Sequence, residues 1–71
     1  MDKKELLKKL GKNIKIARIK RDLTQEQLAE RLGVGRNHVG GMEIGMYNMS
    51  MGKILELANA LEADINELLE F

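Results

Sequence analysis

Between Thr24 and Gly45 the sequence spells two short helices and a turn that leaves them little choice of arrangement. Thr24 and Gln27 have the spacing of a capping box, in which the hydroxyl takes the N3 amide and the glutamine side chain reaches back. Leu28, Ala29 and Leu32 supply a buried side, and Gly33 stands where a left-handed residue ends a helix. After the turn Gly33-Val34-Gly35, the segment from Arg36 to Ile44 reads as a second short helix closed by Gly45. A turn this short allows only an angled pair, with the second helix projecting from the body of the domain. Ala29 falls at the crossing, where a larger side chain would push the helices apart.

The flanking sequence continues in the same helical period. Asp2 can cap a first helix that ends near Arg21 and carries Leu6, Leu10, Ile14 and Ala17 as its apolar stripe. Ile16 and Ile19 fall outside that stripe and read either as a satellite contact or as an interface. Ser50 can cap a fourth helix with Ile54, Leu55, Ala58 and Leu61 turned inward. Asp64 with Glu67 suggests a last capped turn, opening a fifth helix with Ile65, Leu68 and Leu69.

The expectation is an all-α fold forming one domain over residues 1–71. There is no cysteine, so neither a disulfide nor a thiolate zinc site reinforces the core, and a reducing compartment is favoured. No apolar run approaches the roughly 18 residues of a membrane span, and the N-terminus opens on charge rather than a signal-peptide core. A cytoplasmic protein with no membrane association is expected.

The formal net charge of +1 conceals a segregation. Residues 1–36 carry eleven Lys or Arg against five acids, whereas residues 37–71 carry one Lys against six acids. One half of the chain can therefore face phosphates.

The stretch Leu23-Thr24-Gln25-Glu26-Gln27-Leu28-Ala29-Glu30-Arg31-Leu32-Gly33-Val34 resembles the first half of the helix-turn-helix in the phage repressor and Cro family. The likeness continues through Val39, Met42, Glu43 and Gly45, then from Ile54 to Leu69, covering roughly residues 10–69. It implies the compact five-helix lambda-repressor-like fold and binding to double-stranded DNA in transcription regulation. It also implies a phosphate contact from Gln25 and an ion pair between Arg18 and Glu43 that links the recognition helix to the first helix.

At 100° per residue, Arg36, Gly40, Ile44, Asn37 and Gly41 share one arc of roughly 140°, with Val39, Met42 and Glu43 opposite. These five are the candidate base contacts of a recognition helix spanning about residues 36–44. Arginine can pair with guanine O6 and N7, and asparagine with adenine N6 and N7, which makes Arg36 and Asn37 the expected base readers. Gln25, Thr24, His38, Tyr47 and Asn48 are candidate phosphate contacts, with Thr24 foremost a cap. His38 is the lone histidine and has no partner at metal-ligand or triad spacing, so neither a cofactor, a metal nor an enzymatic activity is expected.

The sequence also departs from the family. Family members usually carry Ser or Thr at Gly35, polar side chains at Gly40 and Gly41, a proline near Met49 and a glycine at Glu62. Two helical glycines cost roughly 1 kcal/mol each relative to alanine. Either they let the backbone approach the bases, with Ile44 adding apolar contact, or they mark a protein-interaction or scaffold module that has lost DNA readout. Met42 reads as core, while Met46, Met49 and Met51 read as packing or loop residues. Departures of this kind would suit an engineered or designed member of the fold. With no separate dimerisation domain expected, the reading is a monomer in solution, or a weak homodimer on DNA.

Overall fold

Most helices begin where a side chain can take a free first-turn amide. Asp2 Oδ1 accepts from Glu5 N at 2.8 Å, Ser50 Oγ from Lys53 N at 3.1 Å, and Asp64 Oδ1 from Asn66 N at 2.8 Å. At Thr24 both halves of the capping box are present: Gln27 N donates to Thr24 Oγ1 at 3.0 Å and Thr24 N to Gln27 Oε1 at 2.8 Å. The computed structural model describes residues 1–71 as α1 (Lys3–Lys20), α2 (Gln25–Leu32), α3 (Arg36–Glu43), α4 (Met51–Leu61) and α5 (Ile65–Leu69). Only α3 starts without a capping side chain, because its N-cap is Gly35.

The ends are equally local. Gly33 adopts φ +69°, and Val34 N returns to Ala29 O at 3.0 Å, turning the chain directly into α3. Glu62 takes the same left-handed role at φ +54°, with Ala63 N donating to Ala58 O at 2.8 Å. The α4 terminus is thus built without the glycine expected there.

The core gathers Leu10, Ile14 and Ala17 of α1, Leu28 and Ala29 of α2, Val39 and Met42 of α3, four residues of α4, and Leu68 of α5. Helix α1 packs on α3, α4 and α5, while α2 packs on α3 and α4. Two expected core residues are displaced from it. Leu55 is 49% exposed because it lies 100° around the helix from Ile54, and Leu57, with Ala58 and Leu61, fills the inward side instead. Leu6 is 39% exposed although it shares the phase of Leu10. Within one turn of Leu6 the chain passes close to α1 at Gly45, where an added Cβ would stand 2.8 Å from Lys8 N and 2.9 Å from Leu7 C.

Glu67 does not complete a second capping box. Arg21 Nη1 and Nη2 donate to its two oxygens at 3.0 and 3.1 Å, joining the end of α1 to α5. These hydrogen bonds hold the Glu67 carboxyl below its ordinary range and the Arg21 guanidinium above its own. A lowered carboxyl contributes stability above its unfolded value and loses it as pH falls through the folded one. The pair is solvent-accessible, so that contribution is small. No helix is long and apolar enough to cross a membrane.

Candidate nucleic-acid interface

The orientation of α3 is set by one buried carboxylate. Glu43, at the end of α3, receives Arg18 Nε on Oε2 at 2.6 Å and Arg18 Nη2 on Oε1 at 3.2 Å. Gln25 Nε2 donates to the same Oε1 at 3.0 Å, and Arg18 Nη1 reaches Leu23 O at 2.7 Å. A forked guanidinium matches a carboxylate in two parallel bonds, so the pair fixes angle as well as distance. One acid therefore ties together α1, the first residue of α2 and the last residue of α3.

A second contact sets the spacing. A Cβ at Gly11 would lie 2.5 Å from the carbonyl oxygens of Met42 and Glu43, so the backbones of α1 and α3 touch there. Gly11 is not among the residues that the sequence pattern singles out. A glycine inside an amphipathic helix between Leu10 and Ile14 was the available signal, since close backbone approach is a common reason for one. Asn13 is likewise not singled out: its Nδ2 donates to Leu68 O at 3.0 Å and Glu70 O at 2.9 Å, closing the C-terminal end of α5.

With its inner side held in this way, α3 turns Arg36, Asn37 and Ile44 outward. Arg36 and Asn37 are exposed and make no side-chain hydrogen bond within the chain, and Ile44 is 63% exposed. Gly40 is half-buried, and a Cβ there would stand 3.8 Å from Gln25 Nε2, an ordinary contact. Four of the five residues expected on the outer arc thus border one surface.

Gly41 does not join that open surface. It is buried beneath Tyr47, and a Cβ at this position would overlap the ring, with Cζ and Oη both at 2.9 Å. The arc placed Gly41 at its edge, next to His38, and a side chain returning from the loop after α3 covers that edge. Tyr47 in turn stacks on His38, with ring centroids 4.7 Å apart and planes inclined by 25°.

The two glycines therefore differ in kind. Gly40→Ala is expected to raise stability by about 1 kcal/mol, the usual helix-propensity difference, because the added methyl meets no obstacle. Gly41→Ala is expected to forfeit that gain, since the Tyr47 ring must leave its seat. Chemical denaturation of both variants checks the contrast, and equal stabilisation would contradict it.

Around this surface, Thr24 is committed to its capping box, while Asn48 is exposed in the loop that follows α3. Gln25 has spent one amide hydrogen on Glu43 and retains the other, together with its carbonyl oxygen. The main-chain N–H groups of Gln25 and Glu26 open the first turn of α2, where an anion is favoured.

Comparison with known proteins gives a consistent picture. The profile of the family described as helix-turn-helix matches residues 14–68. The control protein C.SmaI of Serratia marcescens is 36% identical over 69 residues, spanning 97% of this chain and 79% of that protein. The crystal structure of the restriction-modification controller protein C.AhdI from Aeromonas hydrophila superposes with a TM-score of 0.87 at 40% identity, covering 96% of this chain and 99% of that one. The controller protein C.Esp1396I, crystallised as a tetramer with its natural 35-base-pair operator, superposes with a TM-score of 0.76 at 27% identity, covering 92% of this chain and 96% of its own.

Proposed function

This chain belongs to the helix-turn-helix family, and from that premise we propose that it is a transcription regulator that recognises an operator by laying α3 in the major groove. The observation that carries the reading is the open outer surface at Arg36 and Asn37, on a helix whose inner side is held by Glu43 and Gly11. A groove reader needs both an unobstructed outer face and a fixed angle, because a base-edge hydrogen bond tolerates little displacement.

The parts divide the work. Arg36 supplies two parallel donors for guanine O6 and N7, Asn37 a donor and an acceptor for adenine, and Ile44 an apolar contact for a thymine methyl. The retained amide hydrogen of Gln25, the first-turn N–H groups of α2 and the Asn48 side chain meet the phosphate backbone, which positions α3 without reading sequence. The lysines of α1 add a general attraction that weakens as salt rises. One copy spans only a few base pairs, so a full operator takes more than one copy, as the tetrameric assembly of C.Esp1396I illustrates for that relative.

Arg36→Ala tests the assignment. The residue is exposed and has no partner within the chain, so its removal should leave the fold unchanged. In a binding selection from randomised duplexes the wild-type protein is expected to return a short motif containing G and A. The variant is expected to lose about 1–3 kcal/mol of discrimination at one guanine position. A variant that kept every base preference would end the assignment of Arg36 as a reader.

A further inference from the structure

We propose that Tyr47 is a specificity-determining residue whose hydroxyl reads a base edge from the place on α3 that Gly41 leaves vacant. The inference rests on the groove-binding reading above and adds to it a reader that comes from outside the recognition helix. It also moves Tyr47 from the backbone contacts, where the sequence placed it, to the base contacts.

Three observations lead there. First, the ring lies on α3: a side chain at 41 would occupy the space of its Cε2, Cζ and Oη atoms, so the hydroxyl end sits directly over the helix. Second, the ring has a defined seat. His38 stacks against it, and His38 and Gly41 are neighbours at the three-residue spacing that brings helical positions together. A side chain supported on one face by an imidazole and beneath by a bare glycine Cα loses less freedom on binding than a loop tyrosine in solvent.

Third, the hydroxyl is unspent. It takes part in no hydrogen bond within the chain; the side-chain bonds made by α3 are those of Glu43 with Arg18 and Gln25, on its inner side. No fully buried side-chain oxygen or nitrogen lacks a partner, so this unpaired hydroxyl, on a half-buried ring, is not sealed in the core. Asn37 lies four residues before Gly41 and therefore on the same side of α3. The Tyr47 hydroxyl, both donor and acceptor, thus lies over the side of α3 that carries one of the two proposed base readers, with its hydrogen-bonding capacity intact.

This gives the two glycines distinct purposes. At 40 the missing side chain leaves Gln25 clear, whereas at 41 it makes room for the ring. A polar residue on the helix is replaced by an aromatic one delivered from the loop.

The test is a set of randomised-duplex selections with wild type, Tyr47→Phe, Gly41→Ala and Arg36→Ala. Tyr47→Phe keeps the ring, its packing and the stack on His38 while removing only the hydroxyl, so it preserves the fold. It is expected to relax preference about three- to tenfold at one base position adjacent to that read by Asn37, the range for loss of one hydrogen bond. Preference at the Arg36 position should stay unchanged. Gly41→Ala, which displaces the ring without altering the hydroxyl, should relax the same position as Tyr47→Phe, and Arg36→Ala a different one. If wild type returns a motif and Tyr47→Phe leaves every position of it intact, or weakens binding uniformly as a phosphate contact would, the Tyr47 proposal is overturned while the groove-binding reading stands. If wild type returns no motif, the groove-binding reading fails and this inference falls with it.

Discussion

Arg18→Met should cost the protein about 3–5 kcal/mol, the usual penalty for leaving one member of a buried ion pair behind. The side chain of Glu43 is only 2% exposed, and without Arg18 its charge keeps a single neutral donor, the Gln25 amide. A chain of this size has on the order of 4–10 kcal/mol of total stability, so the variant should lose a third or more of it. The cost belongs to the orphaned charge rather than to the pair as such. Arg18→Met combined with Glu43→Leu replaces the pair by apolar groups of similar volume and should recover most of the loss. Urea denaturation of the two single variants and the double variant measures this as a coupling energy. A double variant no more stable than the singles would mean that the pair is not the source of the effect.

The second large effect is expected at Gly11→Ala. The added methyl meets main-chain atoms of Met42 and Glu43, which cannot swing aside as a side-chain tip can. Forcing α1 and α3 apart should cost roughly 3 kcal/mol, at the upper end for overpacking. Alanine returns about 1 kcal/mol through its better helix propensity, leaving a net loss of about 2 kcal/mol. The comparison with Gly40→Ala is instructive, because the same substitution in another helix should stabilise. Thermal or urea unfolding gives both signs, and a Gly11→Ala variant as stable as wild type would show that the helices can separate freely.

What the sequence made legible was the local part of the structure. Thr24 with Gln27, Gly33, Asp2 and Ser50 each act on a neighbour within four residues, so their types and spacing carry the information needed. The helix-turn-helix could be read because it is built almost entirely from such short-range signals. Helix phase is less legible: the apolar pattern puts Leu55 inward, whereas rotation at 100° per residue places Leu57 on the side of Ile54 and Leu61.

Long-range partners were out of reach for a physical reason. Glu67 fits a capping box by spacing, yet Arg21, 46 residues away, holds its carboxylate more strongly than an exposed amide would. At the candidate site, Arg36, Asn37 and Ile44 lie outward because their positions on the helix cylinder demand it. Gly41 lies at the margin of the same arc, where a loop residue six positions later decides whether the surface is open or covered. No helical wheel contains Tyr47, and the tie between Gln25 and Glu43 depends on how α2 crosses α3.

The claim that a guanidinium on α3 reads a guanine is tested most directly by a thermodynamic cycle on the selected duplex. Guanine at the Arg36 position is replaced by 7-deazaguanine, which lacks the N7 acceptor, and binding of wild type and Arg36→Ala is measured to both duplexes at one salt concentration. Wild type is expected to lose about five- to tenfold in affinity, as one of two hydrogen bonds disappears, and the variant to lose nothing further. Equal losses for both proteins would place Arg36 away from that base and rule out its role as the guanine reader.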